Sequence, residues 1–400
     1  MYFKNFRSAG HPPTLAGAFL YFDVSFMIWV LIGALGIFIA KDFNLNAASK
    51  GMLVAVPLLG GSLLRLPIGM IADRIGSKKT ALWGMGLTAI PLLLACFAGA
   101  SLPRMYGIGL LLGIAGASFA VALPMASRWY PPEHQGLAMG IAGAGNSGTV
   151  LAAFFAPRLA QAIGWHAVFG LALIPLALVM AYVFRFAKDS PTHPPPVAWR
   201  HYLTCLKEHD ALLFCFFYMM TFGGFVGLAS FLPIFFNDQY GVSRIMAGNL
   251  TALCVFSGSF CRPLGGYISD RLGGIRTLSL LYAGIAVCLL LVASLPSLPI
   301  IVTALFMTML LLGMGNGAVF QLVPQRFPKQ IGTLTGLVGS FGGLGGFLLP
   351  IGLGSLKEVW GSYGAGFLLF AVGCCAALLI LRGVQVQWRQ KWNLAEGSLV

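Results

Sequence analysis

The chain has 400 residues, of which 58% are hydrophobic and 9% charged, and its mean hydropathy is +0.86. An ordinary soluble domain carries about 25% charged residues, so this composition excludes one and indicates a polytopic membrane protein. The formal net charge of +14 would suit a nucleic-acid binder, but where the cations fall excludes that reading too.

A membrane-crossing helix needs about 20 apolar residues. Twelve such stretches are predicted, at 17–40, 50–72, 80–99, 104–127, 137–159, 165–187, 211–237, 246–270, 277–296, 299–323, 332–355 and 362–382. The first contains Asp23 and ends at GIFIAKDF with no small-residue cleavage site, so it is expected to be a span and not a signal peptide. The second belongs to GGSLLRLPIGMIADRIGSKK (60–79), which places Arg65 inside an otherwise apolar run. The eighth belongs to SGSFCRPLGGYISDRLGGIR (257–276) and does the same with Arg262.

Between the sixth and seventh stretches, FAKDSPTHPPPVAWRHYLTCLKE (186–208) breaks the apolar rhythm with prolines and charges. The expected organisation is an N-terminal six-helix bundle (1–187), a cytoplasmic linker (188–208), a second six-helix bundle (209–382) and a cytoplasmic tail (383–400). The halves repeat: Gly69, Asp73, Arg74 and Gly76 recur 197 positions on as Gly266, Asp270, Arg271 and Gly273, and so does Arg65 as Arg262. With an even number of spans per half, the halves share one orientation and are related by an axis along the membrane normal, which places a substrate site near the midplane between them. The expected fold class is an all-α integral membrane protein of 12 transmembrane helices in two pseudo-symmetric six-helix bundles, the major facilitator architecture.

Among the 25 Lys and Arg residues, only Lys41, Lys50, Arg104, Arg158, Arg244 and Lys357 fall in the loops of one face, while most of the others fall on the opposite face. This positive-inside bias puts both termini in the cytoplasm and accounts for the basicity without nucleic acid. None of the eight cysteines forms a CxxC pair, so neither a disulfide framework nor a metal site is expected. No catalytic constellation and no phosphate-binding GxxxxGK[ST] loop occurs, so the chain reads as neither an enzyme nor an ATP-driven pump, and no cofactor is expected.

Arg65 lies eight residues before Asp73, about 12 Å into its helix and so near the midplane of a hydrocarbon core about 30 Å thick. A cation at that depth needs a polar cavity or a partner. Asp23 is the one acid well inside a span, and one carboxylate cannot neutralise two guanidiniums. A structural salt bridge is the competing account. The simpler one is an anionic substrate clamped from both halves, because planar guanidinium forks suit a small oxyanion.

The chain resembles the nitrate/nitrite porters of the major facilitator superfamily along its whole length. GMIADRIGSKK and its echo GGYISDRLGGIR resemble the superfamily signature, here Gly69, Asp73 and Arg74 with Gly266, Asp270 and Arg271, expected to form a cytoplasmic latch. SLLRLP and SFCRPLGGYISDRLGG resemble the substrate-arginine segments. GIAGAGNSG (140–148) and GLVGSFGGLGGF (336–347) resemble the two glycine-rich nitrate signatures, whose Gly140, Gly143, Gly145, Gly336, Gly339, Gly342 and Gly343 are expected to bend and slide during gating as well as to pack closely. FYMMTFGGFVG, GASF and SFMIW resemble further site segments, giving Tyr218, Phe222, Phe119, Phe26 and Trp29.

The resemblance implies transport of nitrate, with nitrite, across the cytoplasmic membrane. Arg65 and Arg262 would donate to the anion, Phe119 and Phe222 would sandwich its plane, and Asn146 and Tyr218 would add neutral donors. Packing roles for these aromatics, and interhelical glue for Asn146, are the bland readings. The family includes proton symporters and exchangers. Asp23 tilts the expectation toward nitrate uptake by proton symport for nitrate assimilation, with nitrate/nitrite antiport, or carriage of formate or oxalate, as alternatives. A non-transporting sensor is disfavoured by the short linker and tails. A functional monomer in the lipid bilayer is expected.

Overall fold

The computed structural model describes residues 6, 8–190, 202, 204–327 and 331–391, so most of the expected linker and residues 392–400 of the expected tail lie outside the described residues. The described residues form helices and no strands. Twelve long helical stretches follow one another. They are α1 (Pro12–Trp29, Leu31–Ala34 and Gly36–Asp42), α2 (Ala47–Ile75), α3 (Ser77–Ala98), α4 (Leu102–Gly116 and Phe119–Ser127), α5 (Pro132–Gly143, a 3₁₀ turn Ala144–Ser147, then Gly148–Ile163) and α6 (Trp165–Leu171 and Leu173–Phe186). The second six are α7 (His209–Tyr218, a π turn Met219–Gly223, then Gly224–Tyr240), α8 (Arg244–Leu272), α9 (Gly274–Ala293), α10 (Leu298–Arg326), α11 (Ile331–Trp360) and α12 (Gly364–Lys391).

Ten of the twelve are long and apolar enough to cross a membrane on length and composition. The other two are α1, which is interrupted twice, and α8, which carries Arg244, Asn249, Arg262, Asp270 and Arg271. The helices overrun the expected apolar stretches at most ends, because polar turns outside the hydrocarbon stay helical. α12 runs on to Lys391, so the first part of the expected tail is helix.

Local chemistry sets several boundaries. The Asn46 side chain accepts from Ser49 N to start α2, and Ser243 accepts from Met246 N to start α8. Gly76 (φ 97°) and Gly273 (φ 90°) make the same sharp turn after α2 and after α8, a backbone state that a Cβ would oppose. The repeat seen in the sequence is therefore a repeat of geometry. It extends to helix crossings: α4 meets α2 where a Cβ on Gly113 would overlap Gly60, and α10 meets α8 where a Cβ on Gly313 would overlap Gly258.

Exposed apolar side chains such as Phe97, Leu178, Leu280 and Leu379 turn α3, α6, α9 and α12 outward to lipid. The most apolar part of α7 is 78% buried, against 28% for α6, so α7 belongs to the centre. The halves meet along α1 with α7, α2 with α11 and α5 with α8.

The seam is closed at the end away from Gly76 and Gly273. There Gly33 packs on Ser230 and Gly36 on Ile234, Lys50 Nζ pairs with Asp238 at 2.7 Å, and Ala47 N donates to Glu358 Oε2 at 2.9 Å. Toward the other, basic end a cavity of about 220 Å³ runs from Arg65 and Phe119 past Leu66, Gly69 and Gly336 to Asp73 and Arg128. The centre of the molecule is thus shut on one side and approached from the other.

Candidate anion site

Arg65 is 1% exposed, and a break in α4 helps to hold it. At residues 117–118 the regular ladder lapses: Ala120 N bonds to the carbonyl of Ala117 at 3.0 Å instead of reaching back to Gly116. The freed Gly116 carbonyl accepts from Arg65 Nε at 3.3 Å. From the other half, the Gly339 carbonyl of α11 accepts from Arg65 Nη1 at 2.5 Å. The guanidinium carbon lies 4.8 Å from the centre of the Phe222 ring, 5.2 Å from Phe119 and 5.5 Å from Trp29, which is cation–π range. Trp29 is itself fixed by Nε1 donating to the Pro57 carbonyl at 2.7 Å.

Arg262, half-buried on α8, places its guanidinium carbon 5.5 Å from the same Phe119 ring. The two arginines therefore meet at one aromatic residue. Arg65 Nη2 and Arg262 Nη1 are buried and donate to nothing. The ion pairs among the described residues are Lys50–Asp238, Arg128–Asp73 and Arg326–Asp210, and none neutralises either arginine. Asp23 is turned toward α5, where its Oδ1 accepts from Ser147 Oγ at 2.5 Å. The salt-bridge account of the arginines is not realised here.

The expected neutral groups surround this pair. Tyr218 stacks on Phe222 at 5.1 Å, and its buried hydroxyl lies beside the Arg262 guanidinium without a hydrogen bond of regular geometry among the described residues. Asn146 sits in the 3₁₀ turn of α5 with Oδ1 unpartnered, while its carbonyl accepts from Thr149 Oγ1 at 2.6 Å and from Ser259 Oγ of α8 at 3.4 Å. Phe26 lies against Trp29 at 4.9 Å and Phe222 at 6.4 Å, one position round the helix from the Asp23 face.

Three contributors were missed in the sequence reading. Phe320 of α10 closes the aromatic box, 4.7 Å from Tyr218 and 5.9 Å from Phe119, and Phe22 adds a ring 5.8 Å from Phe119. Asn316, one turn before Phe320, is buried with both amide atoms unpartnered. The buried polar residue of MGNGAVF was the available clue.

The glycines divide into two kinds. A Cβ on Gly342 would stand 2.5 Å from Tyr218, one on Gly343 3.0 Å from the Ser62 backbone, and one on Gly145 2.8 Å from Phe22. Gly339 faces Arg65 and Phe119, each 3.6 Å from its would-be Cβ, and Gly336 faces Leu66 at 3.4 Å. Gly140 meets open space and Gly143 only Leu123 at 4.0 Å, so close packing does not explain these two.

The latch is likewise unequal between the halves. Gly69 lies against Ala120, and Asp73 pairs with Arg128 at 2.5 Å, while Arg74 is exposed. In the second half Gly266 leaves space beside it, Asp270 is exposed, and Arg271 lies over Tyr267 at 4.4 Å. The expected second latch differs for a physical reason. Arg326 stands at the end of α10 as Arg128 does at the end of α4, but it pairs with Asp210 of α7, which also accepts from Trp388 at 2.9 Å.

The result is a narrow, aromatic-walled site with two cations, neutral donors and no facing acid among the described residues. Planar guanidinium donors are suited to small oxyanions.

Residues 17–350 match the family model described as Major Facilitator Superfamily. The chain is 32% identical over 374 residues to the "Nitrite extrusion protein" of Bacillus subtilis (strain 168), covering 93% of this chain and 94% of that protein. It is 34% identical over 366 residues to the "Probable nitrate/nitrite transporter NarK2" of Mycobacterium tuberculosis, covering 88% and 91%. It is 30% identical over 358 residues to the "Probable nitrate transporter NarT" of Staphylococcus epidermidis, covering 89% and 92%. With twelve helices in two repeated halves and a pair of central arginines, the chain belongs to the nitrate/nitrite porter family of the major facilitator superfamily.

Proposed function

We propose that the chain is a secondary active transporter that takes up nitrate, and also carries nitrite, across the cytoplasmic membrane by alternating access, with both termini inside, as a monomer. The observation that carries this is the pair of guanidiniums around Phe119, Arg65 buried and Arg262 half-buried, each with an unspent buried donor and no acidic partner among the described residues. The names of the relatives supply the substrate class. The positive-inside bias makes the basic end cytoplasmic, so this conformation faces inward. Labelled nitrate uptake into proteoliposomes, driven either by a pH gradient or by internal nitrite, tests the proposal and separates its two modes.

Coupling to protons is assigned to Asp23. Importing one nitrate against an inside-negative potential costs about 2.3 kcal/mol per 100 mV. One co-transported proton cancels the charge and two make accumulation electrically favourable. Asp23 is the partly buried acid of α1, bonded across to Ser147 next to the Asn146 turn, where protonation would alter the α1–α5 contact. Asp23→Asn is expected to abolish pH-driven accumulation while leaving nitrate binding in place. Intact accumulation in that variant removes Asp23 from the coupling role. Exchange is the second reading: if wild-type uptake ignores protonophores but follows internal nitrite, exchange replaces symport.

Asn146→Ala and Tyr218→Phe are each expected to raise the nitrate Kd about 10- to 100-fold, the value of one hydrogen bond to a charged acceptor, and to change nitrate-over-nitrite preference. Equilibrium binding of both anions checks this. Unchanged affinities in both variants would make these residues part of the packing only.

A further inference from the structure

The two arginines are not held alike. Arg65 is fixed by backbone carbonyls, one of them freed by the break in α4. Arg262 is half-buried with Nη1 unpartnered. The same stretch of the other half explains what is missing.

Two helix crossings bracket that stretch in each half. In the first half α4 crosses α2 at Gly113 and again lower down, where Ala120 lies 3.5 Å from a would-be Cβ on Gly69. In the second half α10 crosses α8 at Gly313 and again at Gly317, whose would-be Cβ stands 2.5 Å from the Arg262 carbonyl and 2.7 Å from the nitrogen of Gly266. Gly69 and Gly266 are repeat equivalents. Between its crossings α4 breaks and gives up a carbonyl. Between its own crossings α10 runs unbroken from Leu298 to Arg326, so its carbonyls stay in the helical ladder. At this level it carries Asn316, which is 1% exposed with neither Nδ2 nor Oδ1 partnered.

A buried amide bonded to protein at neither end is unfavourable unless water or another state of the protein satisfies it. Asn316 is followed one turn later by Phe320, whose ring abuts Tyr218 and Phe119, and Phe119 is the ring that Arg262 faces. The neighbouring Gly315 packs on Thr221 of α7, where a would-be Cβ stands 2.6 Å from the side chain and Oγ1 is also unpartnered.

We propose that Asn316 is the positioning residue for Arg262: when an anion is bound, its Oδ1 accepts from that guanidinium, supplying from a side chain what the Gly116 carbonyl supplies to Arg65. Nδ2 then faces Thr221 Oγ1. Arg65 is the standing half of the clamp and Arg262 the half that closes. This rests on the anion-site reading above.

The test reads Arg262 itself. Purified full-length protein is treated with phenylglyoxal, with and without saturating nitrate, and modification of Arg262 and Arg65 is followed by peptide mass. In the wild type nitrate is expected to protect both arginines. In Asn316→Leu, which keeps the branching at Cγ without the amide, the nitrate Kd is expected to rise about tenfold, and at saturation Arg65 stays protected while Arg262 does not. Asn316→Ser, which keeps an oxygen acceptor and serves if the Leu variant fails to fold, is expected to restore part of the Arg262 protection relative to Asn316→Ala. Equal protection of Arg262 in the wild type and the Leu or Ala variant overturns the proposal, as does loss of protection at both arginines together. Nitrate binding by the wild type is measured first. If it is absent the substrate assignment fails, and the protection experiment is run with nitrite or formate, whichever binds, so the two failures stay separate.

Discussion

Arg65→Lys and Arg262→Lys are each expected to weaken nitrate binding about 100-fold, although the charge is kept. Hydrogen bonds to charged groups contribute about 1.5–3 kcal/mol each, and tenfold in affinity is about 1.4 kcal/mol. At position 65 the ammonium has its three donors on one nitrogen, so it does not span the Gly116 carbonyl, the Gly339 carbonyl and the anion as the guanidinium does with Nε, Nη1 and Nη2. It also loses the planar stacking on Phe222 and Phe119. At position 262 the loss is of the fork and of its placement over Phe119. Equilibrium nitrate binding to each purified variant checks the pair, and near-normal affinity in both would dismiss the two-arginine clamp.

Gly343→Val is expected to stop transport while the protein still folds and inserts. Its would-be Cβ already stands 3.0 Å from Ser62 Cα and Cβ, so a branched side chain forces α11 off α2. The same shift breaks the bond from Ser62 Oγ to the Ser340 carbonyl, now 2.6 Å. The closed seam near Gly33 and Lys50 should then open. Reaction of a cysteine placed at Ile37 with a membrane-impermeant maleimide should rise at least tenfold, with nitrate flux lost in proteoliposomes. Gly86→Ala on α3 is the control: its Cβ enters open space, and flux within about twofold of wild type is expected.

The architecture was readable because two long-range patterns are written in the chain itself. Twelve apolar stretches and a displacement of 197 positions between charged motifs specify number, orientation and repeat of the helices. The arginines stood out for the same reason: an unpaired cation in an apolar run is a strong signal. What could not be read was the local departure from regular helix. The break at 117–118, the 3₁₀ turn before Gly148 and the π turn at Met219–Gly223 each place a site residue, and the spacing of apolar residues does not encode such changes of backbone register. Phe320 and Asn316 were hidden because aromatic and small residues are common in such helices, and their place depends on the angle at which α10 crosses α8. The second latch was misread by symmetry, since Asp210 lies outside the repeat that relates Asp73 to Asp270.

The bond from Arg65 to the Gly339 carbonyl joins α2 to α11, and so ties one half of the molecule to the other. An empty carrier held this way has a resting state that it must leave in order to turn round. Breaking such a bond costs about 1.5–3 kcal/mol, or about 10- to 100-fold in rate if nothing replaces it. A bound anion, already held by Nη2, also offers Nη1 an acceptor that travels with the arginine once the Gly339 bond breaks, so the loaded carrier is expected to escape this penalty. The return stroke of the unloaded molecule is therefore expected to be the slow half of the cycle. Cargo supplied on the far side should quicken the release of labelled cargo from the near side, and a carrier with nothing to carry should idle instead of leaking.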